Sequence, residues 1–263
     1  MKYRPSKKQL FPFLDEFWYA AFDGLLRAAE RAIWEKQKFQ GSVLDIGTGD
    51  GRMSKLLFSG KLIDVGIDPD SLAVEVAGNC GIYKKVLVAS ASKMPFKDES
   101  FSTVVSNSTF EHIKEDLLAV KEVSRVLKKN GRFLFTVPTP RFVEYLKSVG
   151  VKGEKLNKFN KRLDHYRYRT KDDWEKILEK NGLTLVSYKY YFPKKLTITG
   201  YILFKVYTIR PYKRELWSYL KDSPYGKLFP KRLIRYLLKF TLWPVFRGLF
   251  KEGGSWVFIE AKK

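Results

Sequence analysis

The 263-residue chain contains one cysteine, Cys80, and two histidines. A single thiol excludes an intramolecular disulfide framework and fits a reducing, cytoplasmic setting. Acids are scarce beside bases, 28 against 50, which leaves a formal net charge of +22. A field of that sign attracts nucleic acid, acidic lipid or phosphorylated small molecules, and carries no information about fold. Long uncharged apolar runs are missing too: no window of about 20 residues is free of charge, which argues against a transmembrane span. The basic start, residues 1–8, is followed by no signal-peptide core, because the apolar stretch 11–22 carries Asp15 and Glu16. No internal repeat or low-complexity linker is visible. The 44% hydrophobic content is ample for a core, and the length favours one elaborated domain.

Four regions separate by pattern. Residues 1–40 read as an N-terminal helical cap: Phe17, Trp18, Ala21, Leu25, Ala28 and Ala32 recur at helical spacing and predict one helix over 14–38. Residues 41–192 form the core. There β-rich runs at 42–46, 62–67, 85–89, 103–106 and 132–137 alternate with helical stretches at 52–58, 71–79 and 115–127. That alternation predicts βαβ units, an α/β fold with a doubly wound, mostly parallel sheet. The stretch 141–195 is polar and basic, with a helix over 171–180 and a strand over 183–191. Residues 193–253 are a basic, aromatic, helical insertion, and 254–263 hold the last strand of the core.

The sharpest local signal is Val43-Leu44-Asp45-Ile46-Gly47-Thr48-Gly49-Asp50-Gly51-Arg52, an apolar strand running into a loop with glycine at every second position. Glycine lets a ligand approach the backbone and permits unusual φ values, and the helix that follows offers free N–H groups. The pattern is not the G-x-G-x-x-G of dinucleotide sites, and the Gly-Lys-Ser/Thr of a phosphate loop is absent. Gly66-Ile67-Asp68-Pro69-Asp70 ends the second strand about 20 residues on, where an acid such as Asp68 can accept bonds from ribose hydroxyls. Asp70, directly before Ser71-Leu72, suits a helix cap better.

The tight G-x-G-x-G loop resembles the cofactor loop of class I S-adenosylmethionine methyltransferases. Met94-Pro95-Phe96-Lys97-Asp98-Glu99-Ser100-Phe101, Val104-Val105-Ser106-Asn107, Phe110-Glu111-His112-Ile113 and Arg125-Val126-Leu127-Lys128-Lys129-Asn130-Gly131-Arg132 follow as in the quinone- and lipid-methylating (type 11) branch. The resemblance covers roughly residues 40–140 and, more weakly, 165–190. It implies a Rossmann-like sheet of seven strands, the last two forming a hairpin, and S-adenosylmethionine as cofactor. The implied cofactor contacts are Asp45, Gly47, Thr48, Gly49 and Gly51 at the loop, Asp68 and Pro69 near the ribose, Ser90 and Ala91 near the adenine, and Asn107. Ser90 stands where the family often has an acid, so Ser90 or a backbone carbonyl is expected to meet the adenine amino group. The family's Phe-Asp at the fourth strand is Phe101-Ser102.

Methyl transfer from a sulfonium is an in-line displacement in which placement supplies much of the acceleration, and a base is needed only where the acceptor loses a proton. His112 and His165 fall where the resemblance places site residues, and imidazole titrates near neutrality. The alternatives are structural: Glu111-His112 tying down its loop, and His165 partnering Asp164 or Asp172. Asn107 and Ser108 are placed at the methyl-transfer cavity, with ordinary turn formation as the alternative. No metal is expected.

Between 194 and 251 fourteen Lys or Arg face two acids, Glu215 and Asp222, a local balance of +12. The segment 231–242 predicts a helix with Arg232, Arg235 and Lys239 on one face and Leu233, Ile234, Leu237, Leu238 and Phe240 filling the rest, ended or kinked by Pro244. An apolar body with a cationic edge suits an anionic membrane surface, and packing on the sheet is the alternative. The expected reaction is methyl transfer to a small hydrophobic or anionic acceptor of quinone, lipid-linked or glycan type, in a cytoplasmic, peripherally membrane-associated protein. The alternative is an RNA-directed enzyme or a non-catalytic RNA binder, whose affinity would fall steeply with salt.

Overall fold

Seven strands form one sheet: β1 (Val43–Ile46), β2 (Ile63–Asp68), β3 (Tyr83–Val88), β4 (Phe101–Asn107), β5 (Leu127–Pro138), β6 (Thr184–Tyr191) and β7 (Trp256–Lys262). Their order is β3-β2-β1-β4-β5-β7-β6, with β7 antiparallel to both of its neighbours and the other pairs parallel. The computed structural model describes residues 5–58, 60–222, 230–250 and 253–263. Residues 1–4 of the basic start, and Lys227 and Lys251 of the insertion, lie outside them.

The winding direction reverses between β1 and β4, which lie side by side. Ligands bind at such a switch point, outside the carboxyl ends of the strands. Alternation along the strands sends Phe258 into one apolar layer and Ile259 into the other. The first layer holds Leu10, Leu25, Ile33 and Trp34; the second holds Val120, Val123, Trp174 and Leu178.

Three parts of the sequence reading change. The single helix over 14–38 is two, α1 (Lys7–Glu16) and α2 (Ala21–Trp34), joined by a turn that contains Phe17 and Trp18. The break folds α2 back against α1, so Leu10, Phe13 and Leu14 share one core with Phe22, Leu25 and Leu26. After α3 (Arg52–Leu57), α4 (Ser71–Gly78) and α5 (Asp116–Val126), the polar stretch contains two further helices, α6 (Pro140–Lys147) and α7 (Gly153–Leu163). Each buries two apolar residues, Phe142 and Leu146, and Leu156 and Phe159, too few to mark a period. α8 (Lys171–Lys180) follows before β6.

The insertion between β6 and β7 folds as α9 (Lys194–Tyr207), α10 (Leu216–Asp222) and α11 (Lys231–Phe246). α11 continues through Pro244 instead of ending at it. Proline there strands the carbonyl of Phe240, but that residue is 69% exposed and water can serve it, while Leu242 and Phe246 anchor the last turn in the core. Among the described residues no helix is long and apolar enough to cross a membrane.

Candidate cofactor and acceptor site

The glycine loop leaves the carboxyl end of β1 with Gly47, Gly49 and Gly51 at φ of 81°, 50° and 77°. Its start is fastened to β2, where the Ile67 carbonyl accepts the Gly47 and Thr48 amides at 2.9 and 3.2 Å. A Cβ on Gly47 would stand 2.3 Å from the Thr109 side chain, whereas one on Gly49 would meet nothing within 4 Å. The loop is therefore closed beneath Gly47 and open above Gly49, a cradle for a ligand that packs on backbone. Thr48 is buried in the loop, its methyl group occupying the space that a Cβ on Gly66 would fill.

Asp68 ends β2 beside this opening. Its Oδ2 accepts the Gly49 amide at 2.8 Å and its Oδ1 the Asp70 amide at 3.0 Å. Each oxygen keeps a lone pair, so the carboxylate can position the loop and still accept from a ribose. Pro69 follows it, exposed, and Asp70 caps α4 by accepting from Leu72 and Ala73. Ser90 lies just past β3, exposed, with its hydroxyl 2.9 Å from that of Ser92; Ala91 beside it is buried.

Two residues take places that the sequence did not suggest. Asp45 is 1% exposed and accepts from Ser54 Oγ at 2.7 Å and Tyr83 Oη at 2.6 Å. Burial outweighs both bonds and pushes its carboxyl up to about 6. It fastens α3 to β1 under the loop, so it supports the loop instead of facing a cofactor. Ser102 sits at the amino end of β4, its amide on the Ser42 carbonyl at 2.9 Å, at the opposite edge of the sheet from the loop. Its departure from the family pattern has no bearing on adenine.

Across the switch point a buried polar knot joins α2 to β4. Glu30, 0% exposed, accepts from Arg27 Nη1 with both oxygens, at 3.0 and 2.8 Å. It also accepts Asn107 Nδ2 at 3.0 Å and Ser108 Oγ at 2.7 Å. Asn107 Oδ1 in turn accepts from Trp34 Nε1 at 2.6 Å and Thr136 Oγ1 at 3.0 Å. The Asn107 amide is thus engaged at both ends, which makes it a positioning group for the loop that enters the cavity.

A cavity of about 240 Å³ opens beyond this knot. Phe22, Leu26, Leu163 and Trp256 give it apolar walls; Arg27, Ser108 and Arg162 add polar ones. Glu111 and His112, on the short helical turn Phe110–His112, meet His165 there, and the two imidazole rings are 5.1 Å apart. His165 finds Tyr168 at 3.0 Å as its partner, not Asp164 or Asp172. Burial, and then the neighbouring His112, push His165 down to about 3. Burial also lowers His112 and raises Glu111, the latter to about 8. Both rings are neutral at pH 7, and the Glu111 carboxyl is a partner for proton exchange or for a cation.

A second cavity, about 440 Å³, shares Asp23, Arg27 and Arg162 with the first and is walled by Phe17, Tyr19, Phe204, Tyr207 and Trp217. The sequence pointed to His112 and His165, but not to Arg27, Glu30, Arg162 or Trp256. One signal existed: Glu30 lies four residues from both Leu26 and Trp34, so an acid interrupts the apolar face of α2 with an arginine three residues before it.

Residues 44–135 match the family described as Methyltransferase domain, in its type 11 group. The uncharacterized methyltransferase YcgJ of Bacillus subtilis is 32% identical over 149 residues, 54% of this chain and 56% of its own. A ubiquinone/menaquinone biosynthesis C-methyltransferase, UbiE, of Geotalea daltonii is 27% identical over 162 residues, covering 52% of this chain and 67% of that protein. The chain spans about half to two thirds of the length of such curated relatives. In fold, a SAM-dependent methyltransferase of Thermotoga maritima superposes with a TM-score of 0.57 at 18% identity, over 97% of this chain and 99% of that one. The stretch 44–135, with its open glycine cradle and Asp68, is accordingly an S-adenosylmethionine-dependent methyltransferase domain of the type 11 branch of the class I family.

Proposed function

We propose that the whole chain is a methyltransferase that moves a methyl group from S-adenosylmethionine to a small acceptor with an ionisable head and an apolar body, of quinone or lipid-linked type. The carrying observation is a pair of neighbouring cavities that share Asp23, Arg27 and Arg162 in their walls. The smaller one sets His112, His165 and Arg27 around a head group, and the larger has aromatic walls for the remainder. Bound S-adenosylmethionine supplies an already activated methyl group, so the chain's own residues need to place the acceptor, exclude water and accommodate a proton. Gly49 and Asp68 hold the donor side, Asn107 and Glu30 fix the loop between donor and acceptor, and the imidazole pair meets the acceptor's oxygen. That UbiE is a quinone C-methyltransferase favours a quinone-like ring.

Calorimetric titration with S-adenosylmethionine should show saturable binding that Asp68→Ala weakens at least tenfold. Transfer of labelled methyl should then appear in lipid-soluble quinone precursors. Label appearing in tRNA instead would replace this acceptor class with nucleic acid.

The insertion supports an anionic lipid surface as partner. Leu233, Tyr236, Leu237 and Phe240 of α11 recur at helical spacing and are 53, 64, 49 and 69% exposed, next to exposed Lys231 and Arg232. Inward packing accounts only for the opposite side, Leu242 and Phe246. Not all the charge is free, since Lys239 reaches Asp15 at 2.6 Å and Arg235 lies 4.0 Å from it. Lys231 lies over the Trp18 ring, whose chain neighbours Phe17 and Tyr19 line the larger cavity, so a membrane-borne acceptor would have a short path in. Vesicles of anionic lipid should retain the protein at low salt, and Leu237→Ser with Phe240→Ser should reduce retention about tenfold. Absence of retention by the unaltered protein removes the membrane reading.

A further inference from the structure

The structure assigns a second role to the imidazole pair: we propose that Glu111, His112 and His165 bind one divalent transition-metal ion in the wall of the smaller cavity, its open coordination positions facing the acceptor. The acceptor's part in this rests on the function proposed above; binding of the ion does not. Three observations carry it. One ligand atom from each of the three residues lies within 4.8 Å of the other two. An ion with ligands near 2.1 Å holds tetrahedral donors roughly 3.4 Å apart, so side-chain rotations moving donors by on the order of 1 Å close the site.

The second observation is that each imidazole has Nδ1 engaged by a neighbour, which leaves Nε2 available as a ligand. His112 Nδ1 is 3.0 Å from the Asp164 carbonyl, which can only accept, so Nδ1 carries the proton and Nε2 the lone pair. Tyr168 spends its hydroxyl proton on Asn160 Oδ1 at 2.9 Å, so its oxygen accepts from His165 Nδ1 at 3.0 Å, again freeing Nε2. A ring N–H fixed on a carbonyl or hydroxyl while the other nitrogen stands free is the usual outer support of a metal-bound histidine.

The third is Glu111 itself. It is 4% exposed, and its Oε2 is buried without a hydrogen-bond partner, an expensive arrangement unless something else occupies that oxygen's lone pairs. Trp256 Nε1, on another wall of the same cavity, is likewise buried without a partner. The nearby Arg27 does not oppose a cation at full strength, because Glu30 accepts twice from it. Two imidazoles and a carboxylate suit zinc or iron(II), and leave room for an exogenous oxygen ligand. A cation there would lower the pKa of an approaching hydroxyl.

The test uses the untagged full chain, stripped with chelator and titrated with cobalt(II), whose visible bands report nitrogen and oxygen ligands, then with zinc in competition. One equivalent should bind. Glu111→Gln, His112→Gln and His165→Gln should each weaken it at least tenfold, and Tyr168→Phe, which touches only the support, by a smaller factor. Unchanged S-adenosylmethionine affinity in each variant shows that the fold persists. If the native chain takes up no cobalt, or the three ligand variants hold it as tightly as the native chain does, the site is not there. One tight equivalent with no methyl transfer to any quinone-type or lipid-linked acceptor would leave the metal site standing and sink the proposed reaction.

Discussion

The donor half of the site and the proposed acceptor half are built from different materials. On the donor side Gly47, Gly49 and Asp68 sit at the ends of neighbouring strands, and the decisive contact, Gly49 amide to Asp68, joins residues only 19 apart. Its chemistry is backbone: free amides, positive φ and one carboxylate. The proposed acceptor side gathers Arg27, Glu111, Arg162, His165 and Trp256 from four separate segments and works through side chains. Backbone geometry constrains sequence into a recognisable motif, whereas side chains on peripheral elements can change without disturbing the sheet. The donor is therefore written in the sequence and the acceptor is not.

The contrast breaks most severely at Glu30, where the two halves are tied together. Glu30→Ala leaves the partly buried Arg27 guanidinium, and the donors Asn107 and Ser108, without their carboxylate, and should cost about 3 kcal/mol in denaturant unfolding. Arg27→Met combined with Glu30→Gln should recover most of it, because the charge goes while the glutamine oxygen can still accept from Asn107 Nδ2 and its amide can donate to the Ser108 hydroxyl. A loss below about 1 kcal/mol for Glu30→Ala would mean the knot is not buried as described. On the donor side the comparable break is Gly47→Ala, which adds a left-handed φ penalty to a 2.3 Å clash with Thr109. Roughly 3 kcal/mol, or about a hundredfold in S-adenosylmethionine affinity, is expected. Adding Thr109→Ala should remove the two closest atoms while leaving its Cβ at 2.9 Å and the φ strain, recovering part of that loss.

The same contrast explains what was legible. Six strands were placed within two residues and β5 began five residues earlier than expected, while α8 was placed at both ends, where Thr170 begins it with a capping box on Asp173. α6 and α7 were missed since two buried residues each make no periodic signal, and α7 contributes Arg162 to the cavity wall. The helix over 14–38 was overrun because apolar spacing continues through Phe17 and Trp18, where the chain turns so that two helices can share one core. The histidines were singled out individually, but nothing local shows that His165, beyond α7, comes back to His112. Asp45 was read as a ligand residue because the motif contains it, while its contacts put it below the loop.

That buried position makes Asp45 a titrating probe of the donor half alone. Its carboxyl is raised from 3.8 to about 6, so the folded chain holds this proton more tightly than the unfolded one. Below about pH 4 both states are protonated and the group is neutral in its effect. From there to about pH 6 the folded state loses stability as pH rises, by up to about 3 kcal/mol for this group, and above that the loss is constant. Asp45→Asn removes the titration, so the difference in unfolding free energy between native chain and variant should grow between pH 4 and pH 6 and then level off. A difference that stays flat across that window would mean the carboxyl is not desolvated.

The smallest expected effect sharpens the comparison instead of breaking it. Ser90 is the point where the donor half departs from its family, and it is exposed just past β3, with its hydroxyl satisfied by Ser92. A carboxylate there could accept from an adenine amino group, a charge-assisted bond worth about 1–2 kcal/mol before the loss of the Ser92 contact. Ser90→Asp should therefore tighten S-adenosylmethionine about threefold to tenfold in calorimetry, with unfolding unchanged within about 0.5 kcal/mol, as at other exposed positions. Affinity for a cofactor fragment lacking adenine should not move, which separates a new adenine contact from a general change in charge. If the substitution weakens binding instead, a backbone carbonyl already takes the amino group, and the donor half reads adenine as it reads everything else, through the main chain.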